Sequence, residues 1–322
     1  MSGSSSLKVQ QKAASGCLTS MQKFILVTGG TGLIGQPIVD ALVRQNQPVK
    51  VLTRNPQPSA NPLLEYVRWN PRAMEIEPDA VANVSGILHL AGAPVAQRWT
   101  AAAKQAILNS RTQSTALLAQ AIAALPEDER PAVCVGASAI GLYPSGQDWH
   151  DEESPADEGF LADVVRAWES GVAELGALGL RTVSLRIGLV LSPRGGMLGK
   201  LLPVFQLGLG SAVGSGEQWQ SWVHEIDVQR AFAWALNEPK AAGAYNVVAP
   251  QPVTNQALSQ AIAKACHRPF WAPRVPPIAL KLVYGEMASV VLSSQRVAAE
   301  RITNDGFAFQ YTDLDEALAD LV

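Results

Sequence analysis

The sequence predicts an α/β fold in which a doubly wound parallel sheet is followed by a smaller C-terminal lobe. Short apolar segments, typical of strands buried on both faces, alternate with amphipathic helical segments through residues 24–191. After Ser192 the sequence changes to glycine-rich loops between helices. The chain has 322 residues, of which 48% are hydrophobic and 16% charged, so it can bury a large core.

The first predicted element is a strand, a glycine turn and the start of a helix within residues 23–35. The turn satisfies two overlapping patterns: G-x-G-x-x-G at Gly30, Gly32 and Gly35, and G-x-x-G-x-x-G at Gly29, Gly32 and Gly35. Glycine lets a pyrophosphate approach the backbone, and the N-terminus of the following helix faces the anion. A glycine turn without a ligand is the alternative, but the strand before it and the helix after it favour a dinucleotide site.

The remaining elements follow from apolar periodicity, with proline and asparagine marking their ends. We predict strands at residues 24–27, 49–53, 66–69, 86–90, 132–135, 180–187 and 244–248. We predict helices at residues 32–45, 99–125, 160–178, 197–207, 227–236 and 255–265, and from the proline-rich hinge at 273–277 to residue 292. Strand six is expected to lead directly into Leu189–Leu191.

The end of the second strand bears on the choice of nucleotide. An NAD enzyme usually carries an acidic residue there for the ribose 2′-hydroxyl, whereas this chain has Thr53-Arg54. Arginine pairs with a 2′-phosphate, so NADP is favoured over NAD; the alternative is a solvated surface arginine. The domain prediction is a disordered extension at 1–20, an NADP-binding domain at 21–191 with further elements from 220–250, and a substrate lobe at 192–322. Met21 is a candidate native start.

Composition disfavours several classes of function. The net charge of -3 provides no basic surface for nucleic acid, and no apolar run reaches the roughly 18 residues of a membrane span. The three cysteines, Cys17, Cys134 and Cys266, match no metal-ligand spacing and favour a reducing compartment. With no visible signal peptide, we expect a cytoplasmic protein with a small-molecule substrate, no bound metal, and no nucleic-acid or membrane partner.

Short separated motifs occur in one order along residues 22–322. They are Gly29–Gly35, Leu52–Arg54, Leu90–Gly92, Arg98–Trp99, Ser110–Arg111, Trp168–Glu169, Arg186–Leu191, Gly208–Gly210, Gly214–Gly216, Ser221–His224, Gln295–Val297 and Gly306–Phe307. In these motifs the chain resembles the extended, epimerase-like branch of the short-chain dehydrogenase/reductase (SDR) superfamily. It is most similar to the atypical "epimerase family" proteins, whose C-terminal segment is a domain of unknown function.

The resemblance implies a Rossmann domain that binds NADP(H). The cofactor-binding residues expected on this basis, together with the small residues after the fourth strand, are Gly29, Thr31, Gly32, Leu33, Ile34, Gly35, Thr53, Arg54, Leu90, Ala91, Gly92, Arg111 and Leu191. Arg111 is expected to reach back to the cofactor phosphates, with an exposed, unengaged arginine as the alternative.

Reductases and epimerases of this superfamily use a serine, and a tyrosine followed four residues later by a lysine. The serine corresponds to Ser138, just after the fifth strand. At the tyrosine and lysine positions the chain has Phe160 and Val164, which carry neither a hydroxyl nor a charge. The resemblance therefore implies an intact cofactor cradle without the usual proton-transfer pair.

Two residues are candidate substitutes for that pair. Tyr143 is predicted on a loop facing the nicotinamide, where a substrate-packing role is favoured over proton donation. His224 is a candidate acid/base group, with a structural role favoured. His89, inside an apolar strand, is interpreted as a core histidine, and the acidic residues Asp148, Asp151, Glu152 and Glu153 as a solvated face.

Two functional hypotheses follow. The first is an NADP-dependent oxidoreductase or epimerase acting on a small or nucleotide-linked substrate with non-standard acid/base groups. The second is an NADP(H)-binding regulatory or structural protein with little or no turnover. Phe160 and Val164 favour the second, whereas Ser138 and the full-length substrate lobe favour the first. The sequence leaves the substrate and the oligomeric state open.

Overall fold

The computed structural model describes residues 22–322 and contains a central eight-stranded sheet. The extension predicted for residues 1–20, and Met21, lie outside the described residues. The strands of the chain are β1 Phe24–Thr28, β2 Val49–Thr53, β3 Leu64–Asn70, β4 Glu75–Ile76, β5 Val84–His89, β6 Val133–Ala139, β7 Trp149–His150, β8 Arg181–Ile187, β9 Leu189–Leu191, β10 Trp219–Gln220, β11 Trp222–His224, β12 Gly243–Val247, β13 Val253–Thr254 and β14 Arg296–Val297.

The central sheet has the strand order β12-β8-β6-β5-β1-β2-β3-β4. Every neighbouring pair in it is parallel except β3 and β4. From β1 the chain first builds outward through β2 and β3, then returns to β5 on the other side of β1. The predicted doubly wound parallel sheet is confirmed, and its switch point lies between β1 and β5.

Within residues 22–322 the structure has ten α-helices, which flank the sheet and form most of the C-terminal region. They are α1 Gly35–Arg44, α2 Ala101–Ala123, α3 Phe160–Glu174, α4 Gly196–Gln206, α5 Glu225–Asn237, α6 Asn255–Ala265, α7 Pro277–Tyr284, α8 Ala288–Leu292, α9 Glu300–Asn304 and α10 Leu314–Leu321. The single helix predicted up to residue 292 is interrupted, because Gly285 has a φ of 62° between α7 and α8. None of the helices in residues 22–322 is both long and apolar enough to cross a membrane.

The expected continuation of strand six into Leu189–Leu191 is wrong, and Gly188 explains why. A Cβ on Gly188 would lie 2.4 Å from the carbonyl oxygen of Ser221, so the two backbones approach too closely for a side chain. The chain leaves the central sheet there, and β9 pairs instead with β11 in a separate two-stranded sheet. The glycine therefore redirects the chain from the sheet toward the C-terminal lobe.

Two main apolar clusters fill the interior. The larger contains strand residues such as Leu26, Ile87 and Val135, with apolar side chains of the flanking helices. The second contains Trp222 and residues of α4, α6 and α10, so it forms the core of the C-terminal lobe. The strand β12 follows residue 192 in the sequence, yet it pairs with β8 in the central sheet. The domain boundary at residues 191 and 192 stays a prediction.

Candidate functional site

The glycine turn lies where the carboxyl ends of β1 and β5 meet, since Thr28 is the register partner of His89. Gly29 has a φ of 69°, and a Cβ there would lie 2.7 Å from the carbonyl oxygen of Leu90. A Cβ on Gly35 would lie 2.2 Å from the carbonyl oxygen of Gly29. Position 29 therefore requires glycine because of its positive φ and the nearby Leu90 carbonyl. Position 35 requires glycine because α1 packs closely on the turn.

The N-terminus of α1 opens onto this turn. Its cap residue, Ile34, makes no side-chain capping hydrogen bond, and the first helical turn contains no acidic residue. Thr31 and Gly32, at the tip of the turn, are exposed. A helix start with no side-chain cap and a positive dipole end suits a bound anion such as a pyrophosphate.

Thr28 holds the end of β5 against the turn, and sequence reasoning missed it. Its hydroxyl oxygen accepts hydrogen bonds from the backbone N–H groups of Leu90 and Ala91, both at 3.1 Å. Both lone pairs are thereby used, so the hydroxyl donates its proton to Nδ1 of His89 at 2.8 Å. The sequence signal for this role of Thr28 is its position directly before the glycines.

His89 is a buried, hydrogen-bonded core residue, as predicted. Because Nδ1 accepts from Thr28, Nε2 carries the proton and faces the hydroxyl of Thr115 at 3.1 Å. Burial, and then the charge of Arg111, lower the pKa of His89 to about 3, so the imidazole is neutral at physiological pH. It links the strand that carries the glycine turn to α2 and is no acid/base candidate.

Arg111 of α2 lies against the loop that follows β5. Its guanidinium is buried and donates to the carbonyl oxygens of Ala93 at 3.3 Å and Ile107 at 3.0 Å. It also stacks on the ring of Trp168, with 4.6 Å from Cζ to the ring centre. Burial lowers its pKa to about 10. Arg111 therefore supports the Gly92–Ala93 loop, the exposed alternative is wrong, and its contact with a cofactor phosphate stays a prediction.

The other predicted cofactor residues divide into exposed and buried positions. Arg54 is exposed beyond the end of β2 and has no ion-pair partner among residues 22–322. Thr53 and Leu90 are half-buried beside the turn. The side chain of Leu191 is fully buried in the core of the C-terminal lobe, so its expected cofactor contact is corrected to core packing. Arg54 is therefore an exposed cation at the carboxyl end of β2.

Ser138 lies at the end of β6 and is tied to an ion pair that sequence reasoning missed. The register places Ser138 opposite Arg186 of β8, and Glu169 of α3 lies over both. The Ser138 hydroxyl donates to Oε1 of Glu169 at 2.5 Å. Nε and a terminal nitrogen of Arg186 donate to the two carboxylate oxygens, each at 2.8 Å. An arginine inside the apolar strand β8 was the available signal.

Tyr143 does not face an open site, so the expectation that it faces the nicotinamide is wrong. Its side chain is 1% exposed and its ring stacks on His150. Its hydroxyl donates to Oδ1 of Asn246 at 2.8 Å and accepts from Arg186 at 2.9 Å. Burial raises the pKa of Tyr143 despite Arg186. The tyrosine is a structural partner of the Arg186 network.

His224 has the structural role that was favoured. It is fully buried, and its Nδ1 caps α5 by accepting from the N–H of Ile226 at 3.1 Å. Its Nε2 lies 3.3 Å from a carboxylate oxygen of Asp320, and its ring stacks on Tyr311. Burial lowers its pKa, although Asp320 opposes the shift. The catalytic alternative is corrected: these contacts join β11 and α5 to α10.

The positions of the missing tyrosine and lysine are apolar in the structure too. Phe160 begins α3 and packs edge-on against Trp99, with 5.0 Å between ring centres, while Val164 is 3% exposed. The ammonium of Lys104 lies over the Phe160 ring at 5.4 Å and pairs with Glu286. Neither position offers a proton to a substrate.

The acidic loop is only partly a solvated face. Asp148, Asp151 and Glu153 are exposed as expected. Glu152 instead turns inward, and its carboxylate accepts from the backbone N–H of Asn246 at 2.7 Å. Burial raises the pKa of Glu152. The solvated-face prediction is wrong for this residue, because the loop is anchored to the edge strand β12.

Comparison with known proteins gives two family matches. The model described as the NAD-dependent epimerase/dehydratase family matches residues 25–248, and a domain of unknown function matches residues 275–321. An "epimerase family protein" of Staphylococcus aureus (strain MRSA252) is 34% identical over 304 residues, which cover 93% of this chain and 99% of the relative.

Two solved structures are similar over nearly the whole chain. The human epimerase family protein, solved with NADPH, has a TM-score of 0.83 and 29% identity over 92% of this chain and 98% of that one. The nucleoside-diphosphate sugar epimerase from Corynebacterium glutamicum has a TM-score of 0.75 and 29% identity over 93% of this chain and 58% of that one.

Proposed function

Because the chain belongs to the NAD-dependent epimerase/dehydratase family, as its motifs predicted, we propose that it binds NADP(H) at the glycine turn. We further propose that it acts as an oxidoreductase or epimerase on a small or nucleotide-linked substrate. The observation that carries the proposal is the cradle at Gly29 and Gly35, where a Cβ would collide with backbone 2.7 Å and 2.2 Å away. The solved human relative with bound NADPH supports the choice of nucleotide.

The described residues fit the proposed cofactor in three places. The N-terminus of α1 and the turn amides would hold the pyrophosphate. Arg54, exposed at the end of β2 where no carboxylate competes, would pair with the 2′-phosphate. The Leu90–Gly92 segment, held by Thr28 and braced by Arg111, would form the floor. Bound there, the nicotinamide supplies hydride transfer.

A second candidate function is an NADP(H)-binding protein with little or no turnover. The observation that favours it is the apolar pair Phe160 and Val164 at the start of α3. Measuring NADPH binding together with NADPH oxidation by carbonyl compounds and epimerisation of sugar nucleotides separates the two functions, because only the first requires turnover of a substrate.

Replacing Arg54 with alanine is expected to weaken NADPH binding by roughly 10- to 100-fold, the equivalent of a charge-assisted hydrogen bond. NADH binding should change little, because NADH has no 2′-phosphate. Titration of the purified variant with each nucleotide, followed by nucleotide fluorescence, measures both affinities.

Arg44→Ala is the matched control for this experiment. Arg44 is an exposed arginine at the opposite end of α1 from the glycine turn, so its removal lowers the net charge equally without touching the turn. The assignment of Arg54 is rejected if Arg54→Ala weakens NADPH and NADH binding equally, or if Arg44→Ala has the same effect.

A further inference from the structure

The proton of Ser138 is already committed within the protein. Its hydroxyl donates to Glu169 at 2.5 Å, and the side chain is 4% exposed at the end of β6. A serine hydroxyl has one proton and two lone pairs. Ser138 in this state can therefore only accept a hydrogen bond from a further group, unlike a serine whose proton is free to donate to a carbonyl.

Glu169 is fixed in place yet not sealed from water. Arg186 donates hydrogen bonds to both carboxylate oxygens of Glu169 at 2.8 Å, and 17% of the Glu169 side chain is exposed. Burial alone would lower the pKa of Arg186, but the hydrogen bonds and charge of Glu169 outweigh it and raise that pKa, so the guanidinium stays charged. The carboxylate thus combines a fixed geometry with a route for proton exchange.

We propose that Ser138 and Glu169 form a proton relay that replaces the missing tyrosine and lysine, an inference that rests on the proposed cofactor site. When a substrate alcohol is oxidised, its carbon transfers a hydride to the nicotinamide and becomes a carbonyl carbon. The alcohol proton passes to Oγ of Ser138 as the serine proton moves to Glu169. The products are a carbonyl compound, NADPH and protonated Glu169, and reduction is the reverse.

The charged and polar groups around the relay come from β8, the acidic loop and α2. Arg186 faces the carboxylate from β8, and behind it lie the Tyr143 hydroxyl and the carbonyl oxygen of Glu152, which both accept from Arg186. On the α2 side, Arg111 stacks on the ring of Trp168. Within this group Glu169 is the carboxylate bonded directly to Ser138, and so the immediate proton acceptor.

The test measures NADPH oxidation with phenanthrenequinone, a general carbonyl substrate, across a pH series, together with NADPH affinity and thermal stability. In the wild type the rate should fall as the pH rises, since each reduction consumes one proton delivered through the relay. Ser138→Ala should slow reduction on the order of 100-fold and flatten the pH profile. Ser138→Thr keeps a hydroxyl and should restore most of the reduction rate and of its pH dependence.

Ser259→Ala is the control, because Ser259 is also 4% exposed but lies in α6 of the C-terminal lobe. The relay is overturned if Ser138→Ala keeps the wild-type rate and pH profile, whatever its stability. It is also overturned if the wild type binds NADPH but does not reduce the quinone, a result that leaves the cofactor proposal intact. Failure of the wild type to bind NADPH overturns the proposed function itself.

Discussion

Replacing Gly35 with alanine is expected to abolish measurable NADPH binding and to lower the free energy of unfolding by about 1–3 kcal/mol, as for other overpacked sites. The added Cβ would lie 2.2 Å from the carbonyl oxygen of Gly29 and 2.9 Å from Cα of Gly30. All of these neighbours are backbone atoms, so α1 must shift away from the turn. The shift moves the helix N-terminus and the turn amides that form the cradle.

Urea denaturation and NADPH titration of the variant measure the two effects. Gly176→Ala is the control, because a Cβ there would meet only the Thr182 hydroxyl, at 4.0 Å. We expect that variant to bind NADPH like the wild type. Wild-type NADPH affinity in Gly35→Ala would mean that the turn does not form the cradle.

Replacing Arg186 with methionine is expected to cost roughly 3–5 kcal/mol of stability, the usual effect of removing one partner of a buried ion pair. The change leaves Glu169 without its two charge-assisted hydrogen bonds. It also removes the donor to the Tyr143 hydroxyl and to the carbonyl oxygen of Glu152. Urea denaturation at neutral pH measures the loss.

Two further variants test whether the loss comes from the stranded carboxylate. The double variant Arg186→Met with Glu169→Leu removes both charges and should recover much of the stability. Arg166→Met breaks an exposed ion pair with Asp163 on the same helix and should cost no more than about 1 kcal/mol. If Arg186→Met is no more destabilising than Arg166→Met, the buried network does not stabilise α3 against the sheet.

The fold could be predicted largely from sequence because its main elements are local patterns. The apolar run of β1 and the glycines after it define a strand, turn and helix without reference to the rest of the chain. The two-residue strands β7 and β14 could not be predicted, since each is defined by a partner far away in sequence. The end of β8 at Gly188 could not be predicted for a similar reason, because it depends on the backbone of Ser221, which is distant in sequence but close in space.

The candidate site was predictable only in part, because side-chain roles depend on sheet register. The sequence indicates Ser138 by its place after a strand. Its partner Glu169 becomes evident only when β6 and β8 align Ser138 with Arg186. The burial of Tyr143 could not be predicted for the same reason, because its hydrogen-bond partners lie on β8 and β12, which are distant in sequence. The burial of Arg111 could not be predicted, because nothing local in the sequence shows that its guanidinium stacks on Trp168.

The central claim is that the glycine turn and Arg54 together bind NADP(H). Isothermal titration of the wild-type full-length chain with NADPH and with NADH tests it most directly. We predict one NADPH site per chain, with an affinity at least roughly tenfold higher than that for NADH, as a charge-assisted contact to the 2′-phosphate requires. No heat of binding with NADPH, or equal affinities for the two nucleotides, would contradict the claim.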